Sequence, residues 1–151
     1  YFARARVHLP VFPGAAALVA RRARLGPVGI VSGALRDEIE LGLQTLAVAE
    51  HVGFIVSAED TSACKPDPEG YLRGLSELTN RIGEDAARRA LVIEDSLAGV
   101  EAARAAGLTC VAVAHSYPKA RLEAAGADCV VERLDELSDS LLESLYQRVH
   151  G

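Results

Sequence analysis

Hydrophobic and polar positions follow two alternating periods along this chain, and the alternation predicts a series of helices and strands. An Ala/Leu/Val-rich stretch opens at Pro13-Gly14 and stops at Gly26, with proline at the first turn and glycine past the last. Arg21, Arg22 and Arg24 near its end suit the negative pole of a helix. Val28–Val31 is a short apolar run of strand length that ends at Ser32-Gly33. Asp37 to Glu50 has the helical period, with Ile39, Leu43 and Leu46 on one face. Phe54–Val56 is the next strand, and a polar loop over 57–67 follows it. Asp67 then caps a helix with Pro68 at its first position, and Tyr71, Leu72, Leu75 and Leu78 run along it. Ala90–Ile93 is a strand, followed at once by a small-residue helix from Leu97 to Gly107. Thr109–Val113 is a strand, 118–125 a helix, and Cys129–Val131 a last short strand. Ser138 caps a terminal helix that carries Leu141, Leu142, Leu145 and Val149. Strands alternating with helices imply an α/β fold, a three-layer parallel sheet with helices on both faces and right-handed crossovers.

Composition narrows the possibilities. A chain of 151 residues is most simply one domain with a real core. Its net charge of −5 leaves no basic surface for nucleic acid. Arg, Asp or Glu interrupts every apolar run, so none is long enough to span a bilayer. Cys64, Cys110 and Cys129 are odd in number and lack CxxC spacing, which argues for a reducing, cytoplasmic setting. Cys110 and Cys129 sit in apolar strand-like runs and read as core filling. The chain begins at Tyr1 and contains no Met, so the expectation is that these residues are the carboxyl portion of a longer protein.

Three strand ends carry pointed chemistry. The most informative is Glu94-Asp95, two adjacent carboxylates at the end of Leu91-Val92-Ile93. The carboxyl ends of parallel strands are where open α/β sheets keep their sites. Two neighbouring acids that repel each other and lose hydration there call for a hard cation with oxygen ligands such as Mg²⁺. The alternative is an exposed turn in which Ser96 is simply a helix N-cap. Ser32 and the N–H groups after it, Gly33 included, make a neutral phosphate grip, or else an ordinary Ser-Gly turn. Lys65 lies in Cys64-Lys65-Pro66-Asp67-Pro68, where two prolines stiffen the backbone and aim the ammonium. It can neutralise a phosphoryl oxygen and a carboxylate together, or be a solvated loop lysine. Arg36, after the Ser32 turn, and Ser96 are further candidates for substrate contact. Cys64 could be activated by Lys65 or be passive. His8, His51, His115 and His150 lack ligand spacing, although His115 follows a strand and could line the site. A hydroxyl, a cation and metal-binding acids on one sheet edge suit a small phosphorylated ligand. They include no nucleophile and no general base.

These residues resemble motifs two, three and four of the haloacid dehalogenase-like (HAD) hydrolase superfamily, in the subgroup of β-phosphoglucomutase and phosphoglycolate phosphatase. The resemblance rests on Ser32-Gly33, on Lys65-Pro66-Asp67-Pro68, and on Val92-Ile93-Glu94-Asp95-Ser96 with Gly99-Val100-Glu101-Ala102-Ala103. The run Ala114-His115-Ser116-Tyr117-Pro118 is similar to the loop after the next strand. The resemblance implies that Ser32 binds the transferring phosphoryl group and that Lys65 stabilises it beside a nucleophilic aspartate. It implies that Asp95 holds Mg²⁺ directly, and Glu94 directly or through water. The expected activity is Mg²⁺-dependent phosphomonoester hydrolysis through a phosphoaspartate. A sugar phosphomutase and a non-catalytic phosphate- or metal-binding remnant are the alternatives.

One departure is large. The family's first motif is a strand ending in Asp-x-Asp, which supplies nucleophile and general acid/base, and no Asp-x-Asp occurs here. Residues 1–12 resemble the end of the helical cap returning to a core over 13–151. In the family the motif-one strand lies between the strands ending at Ser32 and Asp95. The expectation is that those two strands expose unpaired edges. An upstream segment or a neighbouring chain is then needed to complete the sheet, and these residues alone are inactive.

Overall fold

A computed structural model describes residues 14–150. The expected cap remnant at 1–12, Pro13, and the side chains of Val149 and His150 lie outside the described residues. Helix α1 is Ala15–Ala23, β1 is Gly29–Val31, α2 is Arg36–Thr45 and β2 is Phe54–Val56. Helix α3 is Glu69–Ile82 and is followed by one short turn of helix, α4, Glu84–Ala87. Strand β3 is Leu91–Glu94, α5 is Leu97–Ala105 and β4 is Thr109–Val113. Helix α6 is Lys119–Ala125, β5 is Cys129–Val131 and α7 is Asp139–His150.

All strand pairings are parallel, as the alternating pattern predicts, but they fall into two sheets. One is β1-β2, with Ile30 opposite Ile55; the other is β3-β4-β5, with Val111 opposite both Ile93 and Cys129. Among the described residues, β1 pairs only with β2, and β3 only with β4. Each therefore keeps one unpaired edge there, as the sequence leads one to expect. Ile93 on β3 is 38% exposed although it lies mid-strand.

The period of two in β4 builds the layers. Cys110 and Ala112 point to one face and pack with Tyr71, Val92, Val100, Ala103 and Leu122 from α3, β3, α5 and α6. Val111 and Val113 point to the other, against Leu18 of α1 and Leu142 and Leu145 of α7. Ile39 and Leu43 of α2 cover β1 and β2 on that second face, with Ala16 and Val19 of α1 beside them. Two helices thus span both sheets. Helix α1 contributes to both clusters on its face, and α3 packs Tyr71 in the first cluster while its Gly70 and Gly74 lie against Val31 of β1. A Cβ on Gly70 would come within 3.0 Å of Val31, so the helix lies as near the strand as glycine permits.

Two features depart from the sequence pattern. The helix expected to reach Glu50 stops at Thr45, because Ala47 turns left-handed at φ 57°. The Val48 N–H then reaches Leu43 O at 3.0 Å and the Ala47 N–H reaches Gln44 O at 3.0 Å, a Schellman cap. Burial of Val48 against Leu43 accompanies the cap and offsets the cost of a left-handed alanine. Helix α4 was not predicted either; four residues are too few to show a period. The arginines closing α1 do more than face a dipole: Arg21 and Arg22 pair with Asp139 at 3.3 and 3.0 Å and tie α1 to the start of α7. Cys110 is buried in the core as expected, where burial first and then the Glu94 charge push its thiol up to about 12.

Leu122 is fully buried and anchors α6 to the sheet. Leu122→Ala should destabilise the fold by about 2–5 kcal/mol, read as a lower urea midpoint at unchanged slope.

Candidate active site

The site forms where β1 and β3 end. The Ser32 N–H donates to Val56 O at 2.9 Å, which carries the β1-β2 ladder one residue past the strand. The Ser32 Oγ accepts the Ala34 N–H at 3.1 Å. Ser32 makes the expected turn, and that turn fixes its hydroxyl at the end of β1. Gly33 beside it is exposed.

Lys65 is a directed lysine, not a solvated one. Its Nζ donates to Val31 O at 3.1 Å and to Glu94 Oε1 at 2.5 Å, so one ammonium joins the ends of the two sheets. The loop before it is stapled by Glu69 in the first turn of α3. That carboxylate accepts the N–H and hydroxyl of Ser62 and the N–H of Ala63, each at 2.9 Å, and pairs with Arg73 at 3.1 Å. These donors, the Ala63 amide first, hold the Glu69 carboxyl below its ordinary value. Asp67 accepts the Glu69 N–H at 2.9 Å, the capping role expected of it, although the helix begins one residue later than predicted.

The paired acids divide. Glu94 has only 7% of its side chain exposed, and both oxygens are engaged. Oε1 accepts from Lys65 and from the Tyr71 hydroxyl; Oε2 accepts from the Asp95 N–H at 3.3 Å and the Ser96 hydroxyl at 3.4 Å. Gly99 in α5 lies directly beneath: a Cβ there would sit 2.1 Å from the Glu94 carboxylate. Ser96 is also the N-cap of α5, its Oγ accepting the Gly99 N–H at 3.0 Å.

Asp95 is half-buried. Desolvation, then the Glu94 charge, push its carboxyl above the ordinary value, and Lys65 and His115 pull the other way. An oxygen donor that is costly to ionise unaided fits a hard cation. Among the described residues no group of three His, Cys, Asp or Glu side chains is arranged to hold a metal, so Asp95 and Glu94 supply at most part of a cage.

The remaining candidates lie around this cluster. The Arg36 guanidinium donates to Ile55 O at 3.0 Å and pairs with Asp60 at 2.9 Å, which fastens the loop after β2 to the start of α2. Asp60 in turn accepts the N–H and hydroxyl of Ser57 at 2.8 and 2.9 Å. Cys64 is exposed next to Lys65, and exposed His115 is near enough to act on Asp95. Sequence reasoning missed Tyr71 and Glu69 as site residues. Both lie in the helix that follows Lys65, four residues ahead of it for Glu69 and six for Tyr71, and that spacing was the available signal.

The folded protein binds the Asp95 proton more tightly than the unfolded chain does. Stability is therefore lost as pH rises through the ordinary value of 3.8 toward the raised one. Without divalent cations at pH 7, Asp95→Asn should melt above the wild type, and the difference should close as pH falls toward 3.8. A variant that melts lower at pH 7 contradicts the assignment.

Comparison with known proteins adds four findings. The family model "haloacid dehalogenase-like hydrolase" matches residues 1–107. A validoxylamine A 7'-phosphate phosphatase from Streptomyces hygroscopicus subsp. limoneus is 35% identical over 111 residues, 74% of this chain and 49% of that protein. Among solved structures, CbbY from Rhodobacter sphaeroides in complex with phosphate superposes with a TM-score of 0.74 at 28% identity, covering 87% of this chain and 58% of that one. A β-phosphoglucomutase from Clostridium difficile shares the fold, with a TM-score of 0.74 at 24% identity over 91% of this chain and 57% of that one. The chain spans no more than about half the length of the first curated relatives it matches, at 49% and 28%. With the family match over most of its length and the strand ends arranged as described, the chain belongs to the haloacid dehalogenase-like hydrolases.

Proposed function

We propose that the protein to which these residues belong is a Mg²⁺-dependent phosphomonoester hydrolase acting on a small phosphorylated metabolite. The observation that carries this reading is the position of Lys65, whose ammonium stands between the ends of β1 and β3 with Ser32 on one side and Glu94-Asp95 on the other. The phosphatase named among the relatives and the phosphate bound to CbbY support the same ligand chemistry.

In this reading the Ser32 hydroxyl and the Gly33 N–H orient the phosphoryl oxygens. Lys65 offsets the charge that develops as the phosphoryl group transfers. Asp95 would hold Mg²⁺, which supplies further charge compensation when bound. Glu94, engaged on both oxygens, reaches the cation through water rather than directly. The attacking carboxylate is an aspartate outside these residues, on a strand that fills the edges left by β1 and β3. The unpaired cysteines fit a reducing cytoplasmic setting. No helix among the described residues is long and apolar enough to cross a membrane.

The test is hydrolysis of p-nitrophenyl phosphate. Residues 1–151 alone should give no Mg²⁺-dependent turnover, and the protein with its upstream segment should. In the latter, Lys65→Ala should lower kcat about a hundredfold, and Asp95→Asn should raise the Mg²⁺ concentration needed for half-maximal rate. Turnover that is indifferent to both substitutions contradicts the assignment.

A further inference from the structure

The proposed chemistry needs Lys65 held in one place, yet a lysine side chain is flexible and its partner Glu94 has three side-chain torsions of its own. The structure supplies a third group. Tyr71 projects from α3 between Gly70 and Gly74, the two positions where that helix lies against Val31 of β1. This close approach brings the buried Tyr71 ring beneath Lys65, with Nζ 4.9 Å from the ring centroid. The Tyr71 hydroxyl donates to Glu94 Oε1, the same oxygen that receives Lys65. On the other side Gly99 leaves no room for the carboxylate to withdraw, and Oε2 is held by Asp95 N–H and Ser96.

We propose that Tyr71 is a positioning residue: its hydroxyl locks Glu94 against Lys65 and its ring supports the ammonium, so that Glu94 serves as the lysine's anchor and Asp95 is left as the acid that meets the cation. The kinetic part of this inference rests on the phosphatase reading; the positional part does not. The hydroxyl matters because a carboxylate with one strong donor can swing about it, whereas two donors on one oxygen define where that oxygen sits. Burial, with the Glu94 charge beside it, pushes the Tyr71 hydroxyl far above its ordinary value, so it remains a donor at every working pH. A simple packing role would need the ring alone, and phenylalanine would supply it equally well.

The chain makes the positional test simple, because Lys65 and Lys119 are its only lysines and Lys119 is exposed. Reductive methylation of the full chain, read by mass spectrometry, gives the reactivity of Lys65 against Lys119 as internal control. In Tyr71→Phe that ratio should rise about tenfold, as expected for loss of one hydrogen bond to a charged group. Glu94→Gln should raise it similarly, and the double variant should rise no further than the larger single effect. An unchanged ratio in Tyr71→Phe overturns the proposal, as does a rise in Tyr71→Leu that Phe fully reverses, since that marks a packing role. In the protein with its upstream segment, Tyr71→Phe should lower kcat about tenfold with KM within about twofold, the signature of an interaction made in the transition state. If the wild type hydrolyses no phosphate ester, the phosphatase reading fails and the methylation ratio still decides the role of Tyr71.

Discussion

The contact between Lys65 and Glu94 is the constraint on which the rest of this structure depends. Among the described residues the two sheets share no ladder, and β1 and β3 each keep one unpaired edge. What spans them at their carboxyl ends is one ammonium, bonded to Val31 O on one side and to Glu94 on the other. The pair is mostly out of water, with Lys65 22% and Glu94 7% exposed. Such a pair costs desolvation and persists only where geometry and added hydrogen bonds repay it. Here the repayment comes from Tyr71, from the Asp95 N–H and Ser96, and from the Glu69 staple that delivers the lysine. Helices α1 and α3 add apolar packing across both sheets, so the ion pair sets position more than it supplies cohesion.

Much of this was legible in the sequence, for identifiable reasons. Cys110, Val111, Ala112 and Val113 alternate faces because a pleated strand has no alternative, and that run placed β4 between two helical layers. Leu97 to Gly107 read as a small-residue helix, and at Gly99 the absent side chain makes room for the Glu94 carboxylate. Glu94-Asp95 and Ser32 stood out as candidates because each follows an apolar run of strand length, and Lys65 because two prolines flank it; the structure joins Lys65 to Glu94 and to Val31 O. The hidden parts are those in which an ordinary residue does an unusual job. Ala47 ends α2 in a conformation usually left to glycine, and nothing local marks it. Tyr71 reads as a core position on a helix face; only the fold puts its hydroxyl on Glu94. Arg36 read as a candidate substrate contact, and its bonds to Ile55 O and Asp60 depend on β2 and the loop after it.

The adjacent acids illustrate how one dipeptide can serve two ends. Successive side chains at a strand end point to opposite sides. Glu94 turns inward, where Lys65, Tyr71 and Gly99 surround it, and Asp95 remains half-buried with a carboxyl that is reluctant to ionise. A cation there would relieve that reluctance, and the anchored Lys65 brings positive charge to the same edge.

The most direct measurement is a double-mutant cycle on folding stability with Lys65→Met and Glu94→Gln, by urea unfolding of the full chain. If the pair positions the two sheets as described, the substitutions are coupled by about 0.5–3 kcal/mol, and the second costs much less once the first is made. Additivity to within about 0.3–0.5 kcal/mol would mean that the two side chains act independently, and would contradict the account.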